Sequence, residues 1–185
     1  MKSKRKLCNL LLKVLLAIPI LLSILYWIAI NLPREVPKDR IFNPTKIGDV
    51  FTFDVKVKKK SHYQHTLALD VYLNEYYATK RTGSTAKGDD EKLRSYFLEY
   101  GSYRRAPLDI KLDILIINKQ TSKIIVNKVI KNPESNVAGF GRTVSLISEY
   151  FEPGEYTIKV QYLGGSPKLK ELFMNFYFYI PYHGK

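Results

Sequence analysis

Sulfur is the first thing this sequence does without. Only one of its 185 residues is cysteine, Cys8, and it precedes a long apolar run. The body of the chain therefore has no disulfide and no thiolate ligand for zinc. Histidine is nearly as scarce. His62 and His65 stand three apart, which puts them on opposite faces of a strand, and His183 lies near the end of the sequence. No Gly-x-Ser-x-Gly elbow occurs, and no serine has the marked base that nucleophilic catalysis needs. No Lys-Ser/Thr follows Gly164-Gly165 in the register of a phosphate loop. Glycoside chemistry needs two carboxylates about 5–9 Å apart. Asp109 and Asp113 flank Lys111 and are expected to form an ion-pair row with it, while Asp89-Asp90-Glu91 is accounted for by helix capping. The expectation is a chain with no cofactor, no metal ion and no catalytic residue, not an enzyme.

Charge is missing from Val14 to Leu32, a run of 19 residues. At about 1.5 Å per residue a helix of that length crosses a hydrocarbon core of about 30 Å. Lys2, Lys4, Arg5, Lys6 and Lys13 stand before it. The positive-inside bias thus places residues 1–13 in the cytoplasm and the remainder across the membrane. Tyr26 and Trp27 fall near the far end, where amphipathic rings favour the headgroup layer, and Pro19 is expected to kink the helix. A cleaved signal peptide begins in the same way, but it has a shorter apolar core and a small-x-small cleavage site. Here Ala29 has bulky Trp27 two positions before it. Lipidation is disfavoured because Cys8 precedes the apolar run rather than following it. The expected address is the bacterial inner membrane, single-pass, with the C-terminal domain in the periplasm.

Acidic residues are the third deficit. Thirty Lys and Arg face 17 Asp and Glu, and with the five cations of the flank set aside the balance beyond Pro33 is 25 to 17, or +8. A solvated basic surface explains this, and so does an acidic partner such as a protein, an anionic glycan or lipid headgroups. Nucleic acid is not expected, since no recognition motif is present.

What remains is rich in apolar and aromatic residues, 45% and 13% of the chain, with 14 tyrosines. About 150 residues past the anchor suit one packed domain. Residues 33–47 read as a proline-containing spacer and 48–185 as the domain. Phe51, Phe53, Val55 and Val57 alternate with polar residues; so do Leu67, Leu69 and Val71, then Leu108 to Ile116, and Tyr156 to Tyr162. Period two is the mark of strands with one buried face. Leu93, Tyr96, Phe97 and Tyr100 instead repeat at helical spacing, predicting one helix over 89–101 with Asp89 as its N-cap and Gly101 after its end. Asn118–Lys123 predicts a hairpin loop. Glu152-Pro153-Gly154-Glu155 predicts a tight turn with glycine at positive φ. The fold class is all-β with one short inserted helix: about seven strands in an antiparallel two-sheet β-sandwich, preceded by one transmembrane helix.

Binding residues are sought among exposed aromatics and arginines, the types favoured at interface hot spots. Tyr103, Arg104 and Arg105 follow the helix. Tyr177 and Tyr179 alternate with Phe176 and Phe178 in the last strand, so one set is expected to face outward or into the second sheet. The segments 74–88 and 131–141 read as loops, which commonly carry binding residues.

Several segments together resemble a known family. They are His65 to Tyr72; Asp89 to Gly101 with Arg94; Pro107-Leu108; Gly141-Arg142; the turn from Phe151 through Pro153-Gly154 to Tyr156; Leu163 with Pro167 and Leu169; and the aromatic strand Phe173 to Tyr179. In this order they resemble bacterial envelope proteins grouped as domain-of-unknown-function family 5625, often lipoproteins or signal-anchored. The resemblance spans about 48–183. This chain differs in lacking a lipidated cysteine and in carrying Phe151 where leucine is usual. Some members neighbour secreted antibacterial toxins, which implies an immunity protein that binds a periplasmic toxin. The alternative is a carbohydrate-binding or envelope-assembly module that stacks aromatics on sugar rings.

Overall fold

A computed structural model describes residues 35–80, 85–98, 105–138 and 140–181, and before them 15, 17–29 and 32. A helix, α1, covers 17–29. Among the described residues no helix is long and apolar enough to cross a membrane. Of the uncharged run, residues 14, 16, 30 and 31 lie outside the described residues.

The strands are β1 (Val50–Val57), β2 (His65–Tyr72), β3 (Arg105–Pro107), β4 (Ile110–Asn118), β5 (Ile124–Lys131), β6 (Glu134–Ala138), β7 (Gly141–Glu149), β8 (Gly154–Gly165) and β9 (Phe173–Tyr179). Two short helices, α2 (Glu75–Thr79) and α3 (Lys87–Arg94), lie between β2 and β3. The strands form a four-stranded sheet in the order β1-β8-β4-β5 and a five-stranded sheet in the order β3-β6-β7-β2-β9. Every pairing is antiparallel.

The period-two pattern does what an amphipathic strand must: it turns one row of side chains into a shared core. Phe53, Val55 and Val57 of β1 meet Ile110 to Ile116 of β4 and Ile158 and Val160 of β8, with Leu67, Leu69 and Val71 of β2 and Met174 and Phe176 of β9 on the other side. Each fully buried aliphatic or aromatic side chain contributes about 1.5–3 kcal/mol. Phe42 joins them at 0% exposure, packed edge-on against Phe51 and Tyr162 and tilted against Phe176. The segment read as a spacer is therefore partly built into the domain, and its Lys38–Arg40 stretch forms one 3-10 turn.

Four local expectations change. The helix runs Lys87–Arg94, with Ala86 as an N-cap that makes no side-chain bond. Leu93, Tyr96 and Phe97 are buried as the stripe requires, but Phe97 already bridges Leu108 as extended chain. The stretch after Asn74 is also helical, because the Asn74 side chain accepts from the Tyr77 N–H and caps α2. The Asp109–Lys111–Asp113 row does not form. The three ion pairs among the described residues are Lys56–Glu155, Lys60–Glu152 and Lys119–Asp54. Finally, Gly154 is not among the positive-φ residues. The turn is held instead by Tyr156, whose hydroxyl donates to the Glu152 carbonyl at 2.7 Å, in the manner of a tyrosine corner.

Candidate functional site

Strand β9 sorts the aromatic residues. Met174, Phe176 and Phe178 face the core, and Phe173, Asn175, Tyr177 and Tyr179 face outward from the five-stranded sheet. Beside it, β2 places Thr66, Ala68, Asp70 and Tyr72 on the same outer face, as their pairing with β9 requires. β7 adds Thr143, Ser145 and Ser148. Its register shift at Leu67/Ala68 adds one residue, so Leu146 and Ile147 are both buried while Ser145 and Ser148 both stay exposed.

Directly paired residues share a face, so the register writes a polar row across all five strands. It runs Arg105 (β3), Asn136 (β6), Thr143 (β7), Asp70 (β2), Asn175 (β9). At about 4.8 Å per strand the row is about 19 Å long. Asp70 is its hub. The Thr143 hydroxyl donates to one carboxylate oxygen at 2.6 Å and the Tyr72 hydroxyl to the other at 3.2 Å. Further along, the Thr66 and Ser148 hydroxyls share a bond of 3.1 Å.

The β2 part of this face is covered, with Thr66 2% and Ala68 0% exposed, and its accessible side chains include Arg105, Asn136, Ser145, Ser148 and Tyr179. Burial, and after it the negative charge of Asp70, pushes the Tyr179 hydroxyl above the usual phenol value, so it remains a neutral donor. Asn175 is 0% exposed, and neither its amide nitrogen nor its amide oxygen makes a hydrogen bond. Such a group costs about 1–3 kcal/mol. With both Asp70 oxygens already accepting, the carboxylate serves as a scaffold for neighbouring hydroxyls.

Of the residues singled out from the sequence, Arg105, Tyr177 and Tyr179 share this one face but stand at its opposite edges, Arg105 on β3 and the two tyrosines on β9. Tyr103 and Arg104 lie outside the described residues. Within 74–88, Glu75–Thr79 and the start of α3 at Lys87 are helical and 81–84 lie outside the described residues; the Tyr77 hydroxyl donates to the Asp89 carboxylate and its ring stacks on Phe140 at 5.8 Å. Much of 131–141 is strand β6. Asp70, Asn136, Thr143 and Asn175 were missed. A signal for two of them exists: Asp70 in LALDVY and Asn175 in FMNFY each interrupt an otherwise apolar run.

Elsewhere, polar residues serve the architecture. Arg142, on the inner side of the same sheet and 2% exposed, donates to the Ser135 hydroxyl at 3.2 Å and lies 4.9 Å over the Phe97 ring. Gly141 before it leaves no room for a Cβ, which would meet the Val71 carbonyl and the Tyr72 ring. His65 stacks on Phe178 at 5.4 Å and meets Phe151 edge-on at 5.7 Å. Burial holds it below the ordinary histidine value. The described residues contain no group of His, Cys, Asp and Glu placed to hold a metal ion.

The sequence matches the family described as Domain of unknown function (DUF5625) over residues 42–180. The chain belongs to this family. Its match begins at Phe42, the residue that joins the core ahead of β1. No curated protein matches the sequence. A crystal structure of a protein from Sulfurospirillum deleyianum is similar at 14% identity and a TM-score of 0.49, over 76% of this chain and 95% of that one.

Proposed function

We propose that this family member is a membrane-anchored periplasmic binding protein without catalytic activity, whose outer five-stranded face recognises a protein partner. In that role it acts as an immunity protein that neutralises a toxin delivered to the periplasm. The uncharged run from Val14 to Leu32 and the cationic flank before it support the anchor and its direction. The observation that carries the binding reading is that Arg105 on one edge strand and Tyr177 and Tyr179 on the other share one face, joined by a polar row hinged on Asp70. Tyrosine buries much area at little entropic cost, and arginine offers several directional donors, which is why both are enriched at hot spots. Tyr103 and Arg104 precede Arg105 in sequence and extend the same candidate set.

Carbohydrate binding is the second reading. Tyr177 and Tyr179 stand two apart on one strand face with a carboxylate and several hydroxyls beside them, which also suits a sugar ring. The two readings separate in one experiment: the detergent-solubilised full chain is used to capture ligands from envelope extract. Stoichiometric recovery of one protein, lost on replacing Tyr177 and Tyr179 by alanine, supports the immunity reading. Retention on peptidoglycan or glycan beads with no protein recovered supports the second.

A further inference from the structure

One end of the sandwich gathers four segments of chain. The register places them there: β1 ends at Val57 opposite Gly154, and β4 ends at Asn118 opposite Tyr156. In the other sheet β2 begins at His65 opposite Glu149, and Tyr179 of β9 lies opposite Thr66. Phe151 joins the two sheets at this end, 5.0 Å from the Tyr156 ring and 5.2 Å from Phe178. The β1–β2 loop (58–64), the β4–β5 hairpin (119–123), the β7–β8 turn (150–153) and the chain leaving β9 at Ile180 therefore lie together. Lys60 pairs with Glu152 at 2.8 Å, and the Lys119 N–H donates to the Glu155 carbonyl at 2.9 Å. The surface they make is basic: exposed Lys58, Lys59, Lys60, Lys119 and Lys123 stand against exposed Glu149 and Glu152. Among the described residues Lys58, Lys59 and Lys123 are in none of the ion pairs. Tyr63, Tyr150 and Ile180 are exposed on the same end. Tyrosine suits the headgroup layer, and lysine suits the anionic lipid in it.

The tether leaves from this end. Ile41 bridges Asn175 in the antiparallel sense, and Arg40 before it lies 5.8 Å over the Phe53 ring. Traced backwards from Ile41, the chain thus runs along β9 towards Tyr179. From Pro37 onward it is part of the domain, through the 3-10 turn Lys38–Arg40 to Phe42 in the core. Leu32, the last residue of the uncharged run, is five residues before Pro37. Fully stretched, that link reaches about 18 Å. The opposite end of the sandwich is a further strand length away, about 25 Å.

We infer that this end of the sandwich, through Lys58, Lys59 and Lys123 with Tyr63, Tyr150 and Ile180, docks on the anionic phospholipid headgroups of the bilayer that holds the N-terminal segment. This rests on the anchored reading above. The strands then stand upright from the membrane, which leaves the outer face of the five-stranded sheet open to a partner.

The test uses the full chain in nanodiscs of phosphatidylglycerol and phosphatidylcholine carrying shallow doxyl-labelled acyl chains. Trp27, the single tryptophan, reports the anchor. In a Trp27→Phe background, Tyr150→Trp reports the docked end. Ile47→Trp in the same background is the control, since Ile47 is exposed just before the start of β1, at the opposite end. Quenching is expected at positions 27 and 150 and not at 47. Quenching at 150 should fall by about half or more in pure phosphatidylcholine, or when Lys58, Lys59 and Lys123 are all replaced by glutamate. Three results overturn the docking and leave the anchor standing: quenching of Trp27 with none at 150, equal quenching at 150 and 47, or quenching at 150 that survives both losses of charge. No quenching of Trp27 overturns both.

Discussion

The two sheets share a core and differ outside it. Outward from the four-stranded sheet, Lys56, Lys111, Lys131 and Lys159 alternate with Asp54, Asp113 and Glu155, and two of the three ion pairs lie on this side. Lys111 even pairs directly with Lys131, a like-charge contact tolerable only where both ammonium groups stay in water. The five-stranded face is built from hydroxyls, amides and tyrosines linked to one carboxylate, with its arginine at the edge. Salt screens a solvated charged face, whereas a bonded polar face keeps its geometry. The first is suited to solubility and the second to recognition.

The sharpest way to break this contrast is to remove one carboxylate from each face. Asp70→Ala strands the Thr143 and Tyr72 hydroxyls at a partly buried site and should cost about 1.5–3 kcal/mol, read as a lower denaturant midpoint at unchanged m-value. Asp54→Ala, whose partners Lys119 and Thr157 are solvated, should move the midpoint far less. Equal losses would erase the distinction between the faces.

Acid should also act through the five-stranded sheet. Because burial lowers the His65 pKa in the folded state, the unfolded chain takes up a proton first as pH falls below the ordinary value of 6.5. Stability is therefore intact above that pH and declines beneath it, through the window between 6.5 and the lower folded value. His65→Phe should flatten that slope in denaturation curves taken across the window. A slope that survives the substitution would place the titrating group elsewhere.

Asn175→Leu should have the opposite sign. Removing a buried amide that makes no bond is expected to stabilise the domain by about 1 kcal/mol and, since Asn175 is 0% exposed, to leave partner capture unchanged. A lower denaturant midpoint would mean that the amide is hydrogen-bonded in solution. The smallest effect on stability is expected from Arg105→Ala, exposed on the β3 edge strand, near-neutral in the same denaturation assay yet damaging to capture.

Much of this was open to sequence reasoning, and the limits are physical. Alternation located β1, β2, β4 and β8 because each spreads an apolar row over seven or more residues, and β9 showed as a run apolar or aromatic on both faces. β3 and β6 escaped because Arg105–Pro107 and Glu134–Ala138 are too short and too polar to show a period. The helix stripe over-ran because Tyr96 and Phe97 bury just as well from a turn and a bridge as from another helical turn. The row from Arg105 to Asn175 was invisible for a different reason. Alternation fixes the face of each residue but not its cross-strand neighbour, and every link in that row depends on register between strands. Tyr177 and Tyr179 were found because their contrast with Phe176 and Phe178 is local.

If the outer face of the five-stranded sheet does the binding, its side chains and not those of the other sheet must hold the partner. Two versions of the full chain, matched in stability, would be compared in capture from envelope extract. One carries Arg105→Ala, Tyr177→Ala and Tyr179→Ala, and the other Lys56→Ala, Lys111→Ala and Lys159→Ala. Loss of the captured partner with the first set and retention with the second is the predicted result; retention with the first and loss with the second would contradict it.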